Sequence, residues 1–244
     1  GRRLLAVCLE LFCPFAWYYI DEARPYAIQL GASLLIVASL RRIAQAGGAG
    51  GARYAGPLVW FLGGVLVLCG TSLFGTVWTA GALGVLLILL PARQLMTLLK
   101  LHLWSWLAAA IPFVGLAGYY VWTLTVGARG SGSATTTVGS IFFVGYELLG
   151  FVGLGPGRLA LRSGGLSALH GYWVPVALYA LAAAPLIGSA LWRGLQLGRR
   201  KHLAITLCCC VPPLIILAAG WAVHFRVLGR HLAPFVSVLL LLLT

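Results

Sequence analysis

The chain is 244 residues long, 61% hydrophobic and only 9% charged, where soluble domains run at ~45–50% and about 25%. A water-soluble fold of this size cannot hide so much apolar surface, so the composition excludes one and reads as a polytopic membrane protein. Net charge is +13, but the basic residues sit mostly in short connections between apolar runs, where membrane topology explains them better than nucleic-acid binding does.

A first apolar run covers roughly Leu4 to Ile20, broken by Glu10 and Pro14, and a second goes from Tyr26 to Leu40. Between them lies Asp21-Glu22-Ala23-Arg24-Pro25-Tyr26, which holds two of the four acidic residues in the chain. Arg41-Arg42 and a glycine-rich connection, Gly47 to Gly51, lead past Arg53 to a third run, Pro57 to Cys69. Gly70-Thr71-Ser72 turns into a fourth, Leu73 to Leu90. Gln94 to Leu101 is expected to be an amphipathic helix lying at the interface. A fifth run, Leu103 to Trp122, ends in the aromatic belt of Tyr119, Tyr120 and Trp122.

The longest connection, about 123–171, follows. It divides into a small polar part, Gly127 to Thr137, an apolar interfacial helix expected over Ser140 to Val152, and a glycine-arginine turn, Gly153 to Arg158, with Arg162 beyond it. Three further runs are Tyr172 to Leu191, Leu203 to Val223 and Leu232 to Leu243. The expected fold is therefore all-α: a single transmembrane bundle over 1–244, with about eight segments and one larger extracytoplasmic loop carrying a short interfacial helix. The last run is shorter than the ~20 residues of a crossing, and the chain starts at Gly1 rather than Met, so a fragment of a longer protein is expected.

Alternating sides with a cytoplasmic N-terminus puts eleven basic residues on the cytoplasmic face and six (Arg24, Arg129, Arg158, Arg162, Arg226 and Arg230) outside, in keeping with the positive-inside bias. The acidic motif, the long loop and the Arg226/Arg230 connection then share the outer face. Arginines there run against the bias, and an anionic head group or phosphate would give them a reason, since guanidinium matches phosphate oxygens bidentately.

Charged side chains close to hydrocarbon are costly to hold, so the acidic motif is the first candidate site. Asp21 and Glu22 are adjacent carboxylates that cannot both ionise freely in a low-dielectric site; one can serve as a general base, or the pair can bind a divalent cation. The plainer alternative is that Arg24 pairs with one of them and the cluster caps a helix hairpin, with Pro25 opening the second helix. Arg158 and Arg162 beside closely spaced glycines can hold an anion, or simply touch lipid phosphates. Arg230 can snorkel as a helix-end anchor or equally bind a phosphate, and a lone histidine such as His231 is more often structural than a ligand. The six cysteines lie inside apolar runs with no zinc-site spacing, so no metal site is expected from them.

Pro14-Phe15, Tyr19 and Glu22-Ala23-Arg24-Pro25-Tyr26-Ala27, followed by a leucine-rich run, resemble a pattern of bacterial glycosyltransferase-C membrane proteins. These are relatives of the dolichyl-phosphate-mannose protein mannosyltransferases and the lipid A aminoarabinose transferases. Arg230-His231-Leu232-Ala233-Pro234 is similar to the start of a late helix in that family. The resemblance implies inverting transfer of a sugar from a polyprenyl-phosphate carrier to an acceptor outside the cytoplasm, in a bacterial inner membrane with the site facing outward. It implies Glu22 in the second acidic motif of the active site and Arg230 near the lipid phosphate. With the residue chemistry above, the candidate site is Glu22 and Asp21 as catalytic, and Arg24, Tyr26, Arg158, Arg162, Arg230 and His231 around the substrate. Asp21 stands where the pattern usually has glutamine. The family's principal catalytic aspartate lies in a first outer loop further upstream, and no such loop precedes Gly1. The chain is then a truncated transferase or a non-catalytic relative. A transporter or lipid flippase gated by the same charged cluster, and an assembly subunit without chemistry, are the rival readings.

Overall fold

The computed structural model describes residues 26–46, 52–127, 138–196, 198–222 and 227–243. Among them every element is helical. In chain order these are α1 (Tyr26–Gln45), α2 (Ala52–Thr71), α3 (Leu73–Leu89), α4 (Ala92–Leu101), α5 (Leu103–Gly127) and α6 (Val138–Leu148). A 3-10 turn (Phe151–Gly153), α7 (Arg158–Gly164) and a 3-10 segment (Gly165–Tyr172) follow, then α8 (Trp173–Leu195) and α9 (Arg199–Ala222). Last come a 3-10 turn (Gly229–Leu232) and α10 (Pro234–Leu243).

The helices begin and end where local chemistry dictates. Ser72 has extended backbone and its hydroxyl accepts from the Gly75 N–H at 3.1 Å, which caps α3 and separates it from α2 with almost no loop. Pro91 cannot continue α3, and α4 leaves at 119° to it. The sharp bend and the polar Arg93 and Lys100 agree with the amphipathic helix expected there, although Leu98 is fully buried in the bundle.

Among the described residues, four stretches are long and apolar enough to cross a membrane: Tyr26–Gln45, Arg53–Thr71, Leu103–Val126 and Ser167–Leu195. The bent pair α3–α4 makes a fifth if it counts as one span. The remaining runs of the eight expected are not among these stretches. The first run lies outside the described residues, α3 alone has 17 residues, α10 has 10, and α9, which opens on Arg199-Arg200-Lys201, carries the shorter apolar stretch Cys210–Ala222.

Packing is densest where α1 lies along α2 and where α3 lies along α9. Leu58, Phe61, Leu68, Trp78, Leu86 and Ile216 close the core between them. At Gly64 the two backbones come close enough that Ile36 and the Ala32 carbonyl of α1 fill the space a side chain would occupy. α5 and α8 instead turn large apolar side chains outward, with Trp104, Ile111 and Trp122 on one and Leu178, Leu181 and Trp192 on the other. Water disfavours such faces and hydrocarbon does not.

The helix expected over Ser140 to Val152 is shorter and more deeply set than an interfacial helix. It stops at Leu148, Gly150 turns the chain with φ of 83°, and Ser140, Val144 and Glu147 are buried. Burial of those three puts one side of α6 against the bundle, so it holds other elements in place.

Candidate functional site

The sequence motif around Asp21, Glu22 and Arg24 lies outside the described residues; Tyr26, its last member, begins α1. Tyr26 is met by Arg230, whose guanidinium carbon lies 5.1 Å from the ring centroid, a cation–π contact. One turn further along, Leu30 packs with Ala233 and Val236. A turn beyond that, the Ser33 and Ser237 hydroxyls are hydrogen-bonded at 2.6 Å, with Ser33 also donating to the Leu30 carbonyl at 2.7 Å. Partner numbers rise together, so α1 and α10 run parallel. Their N-termini, each carrying partial positive charge, therefore lie at the same end as Arg230.

The 3-10 turn that carries Arg230 is tied down from three sides. The Gly229 N–H donates to Glu147 Oε2 at 2.5 Å, and Glu147 is 2% exposed. A side chain at Gly229 would meet Glu147 Cβ at 2.5 Å, so the approach of α6 requires glycine. The Leu228 N–H donates to His231 Nδ1 at 3.2 Å, and Trp78 Nε1 donates to the His231 carbonyl at 3.1 Å. The His231 ring lies 4.5 Å from that of Phe74. His231, a candidate substrate residue from the sequence, thus uses Nδ1 to shape the turn; a neutral imidazole in this arrangement carries its proton on Nε2.

Arg230 itself is partly buried, and its Nε has no hydrogen-bond partner. A second such donor sits close by in the sequence pattern. Gln29 is 1% exposed and its Nε2 is also without a partner. The other two unpartnered buried nitrogens among the described residues, His102 Nε2 and Trp106 Nε1, flank the start of α5.

Arg158 and Arg162 lie on α7, which packs on the 3-10 segment after it. Their side chains are outside the described set. In the turn before them Gly155 is packed so closely on the Tyr146 hydroxyl that a Cβ would lie 2.2 Å from it, that hydroxyl donates to the Pro156 carbonyl at 3.3 Å, and Gly157 is exposed with open space beside it. Burial, with Tyr172 adding to it, pushes the Tyr146 phenol up to about 12. Among the described residues no three His, Cys, Asp or Glu side chains converge as a metal site would need; Asp21 and Glu22, the pair expected to bind a divalent cation, are not among them.

The structure thus brings together Tyr26, Arg230 and His231 and adds Glu147, Phe74 and Trp78; Gln29, buried in the first turn of α1, stands three residues after Tyr26. Glu147 had a visible signal, a lone carboxylate in an apolar stretch. Gln29 had a weaker one, an amide three places after Tyr26 in a run otherwise made of small and apolar residues. Phe74 and Trp78 had none, since aromatic residues at helical spacing read as ordinary core. No family model, no curated protein and no solved structure matches the chain.

Proposed function

We propose that the chain is part of an integral membrane glycosyltransferase that moves a sugar from a polyprenyl-phosphate carrier to an acceptor on the extracytoplasmic side. The observation that carries this reading is the Arg230–Tyr26 contact. It sets the cation of one sequence motif on the last residue of the other, beside two parallel helix N-termini, where a phosphate is electrostatically favoured.

On this reading Glu22 takes the proton from an acceptor hydroxyl as its oxygen attacks the anomeric carbon from the face opposite the phosphate. The bond from that carbon to the phosphate oxygen breaks, and the polyprenyl phosphate leaves with the electron pair. Arg230 balances the charge that grows on the leaving phosphate. Asp21, beside Glu22, either raises its neighbour's proton affinity by like-charge repulsion or helps to hold a divalent cation. The principal aspartate of the resembled family has no counterpart in the sequence given, so Glu22 is assigned here as one carboxylate of the centre.

The test is transfer of a labelled sugar from its polyprenyl phosphate by the full-length gene product in detergent. Glu22→Gln is expected to abolish transfer while the protein keeps its elution profile and melting temperature. Turnover unchanged in that variant would remove Glu22 from the centre.

A further inference from the structure

Gln29 is buried to the last percent, yet its amide nitrogen donates to nothing. A buried amide without a partner is disfavoured and rare in native folds, which points to a ligand that completes it. Its place in the fold says which ligand. Gln29 is in the first turn of α1, three residues after Tyr26 and so on nearly the same face. It occupies the sector between Leu30 and Ser33, which meet α10, and Ala32 and Ile36, which meet Gly64 of α2. Side chains on a helix lean toward its N-terminus, so the amide is carried back toward the level of Tyr26 and Arg230.

That end of the bundle offers donors. Arg230 Nε and Gln29 Nε2 are buried donors without acceptors, and the parallel N-termini of α1 and α10 add partial positive charge. The neighbouring acceptors are engaged: the Ser33 and Ser237 hydroxyls with each other and with the Leu30 carbonyl, and Glu147 Oε2 with the Gly229 N–H. We infer that Gln29 is a phosphate-binding residue, its carboxamide donating to an oxygen of the same phosphate that Arg230 holds. That the phosphate belongs to a polyprenyl carrier rests on the function proposed above; the donor role of Gln29 does not.

Binding to the purified full chain in a maltoside detergent, which carries no phosphate, separates the two. The probes are a polyprenyl phosphate, the matching polyprenol and inorganic phosphate, tested against wild type, Gln29→Leu and Gln29→Glu. Polyprenyl phosphate is expected to bind more tightly than the alcohol, and both variants to lose about tenfold or more of that affinity. Gln29→Leu is also expected to melt no lower than wild type without ligand, since it removes an unsatisfied buried donor; if it does not fold, Gln29→Met, unbranched and of similar length, gives the same reading. Wild-type affinity in the leucine or methionine variant would overturn the inference and leave the carrier reading standing. Gln29-dependent binding of inorganic phosphate, with the lipid phosphate no better than the alcohol, would uphold the inference and overturn the carrier. Binding of neither phosphate by the wild type would overturn both.

Discussion

The Gly229 N–H and the Glu147 carboxylate, 82 positions apart in the chain, meet at 2.5 Å inside the bundle. This bond joins α6, from the long connection, to the turn that presents Arg230. The placing of the cation in the candidate site therefore depends on a buried carboxylate from the long connection.

Because the two backbones are in such close contact, Gly229→Ala should be damaging. The new methyl would fall 2.5 Å from Glu147 Cβ, close to the α6 backbone and not at the end of a flexible side chain, so something must shift. Overpacking of this kind costs about 1–3 kcal/mol. Thermal unfolding in detergent should show a clear drop in melting temperature, and a melt within a degree of wild type would mean that the turn is loosely held.

The same bond separates two substitutions at Glu147. Glu147→Ala leaves the Gly229 N–H buried and unpaired, at a cost of about 1–3 kcal/mol, whereas Glu147→Gln keeps an oxygen that can accept. The expected order of stability in chemical denaturation is wild type, then glutamine, then alanine. Equal losses in the two variants would show that the negative charge matters, and not the acceptor alone.

Much of this fold was legible from composition and punctuation. Apolar runs bounded by Arg41-Arg42, Gly70-Thr71-Ser72 and Pro91 become helices with nearly those limits, because charge and backbone chemistry act locally. The grouping of the Tyr26, Glu147 and Arg230 connections at one end also followed from counting alternate crossings. What could not be read was side-chain pairing across distance. Nothing in the sequence says that Gly229 reaches Glu147, that Trp78 holds the His231 carbonyl, or that Gly155 packs on a tyrosine. Those outcomes depend on which helix faces meet, and uniformly apolar helices carry little periodicity to announce their faces.

The Arg230–Tyr26 contact predicts a ring requirement at position 26. Tyr26→Phe keeps the aromatic face and should hold most of the affinity for a polyprenyl phosphate. Tyr26→Leu removes it, with a loss of about 0.5–1 kcal/mol, or roughly two- to fivefold. Arg230→Ala should weaken the same binding by about 1–3 kcal/mol. Equal affinities for Tyr26→Leu and wild type would take the ring out of the site.

Trp78 offers a check that is independent of ligand. Trp78→Phe fills most of the core volume but removes the N–H that reaches the His231 carbonyl at 3.1 Å. The expected loss is about 1 kcal/mol for the hydrogen bond plus a smaller packing term. If Trp78→Phe instead matches wild type in denaturant midpoint, that carbonyl has another donor in solution.

Tyr146 links the long connection to alkaline pH. Its phenol holds its proton more tightly in the fold than the ordinary value of 10, up to about 12, because burial disfavours the phenolate. A group whose pKa is raised on folding contributes stability that is fully present below its unfolded pKa and lost as pH rises through the folded one. Between pH 10 and about 12, then, the wild type should lose stability that Tyr146→Phe, having no proton to lose, does not. Near neutral pH the same variant lacks the hydrogen bond to Pro156 and should be the slightly weaker protein. The two melting-temperature curves should therefore converge as pH rises from 9 to 12, and parallel curves would mean that Tyr146 is solvated in the native protein.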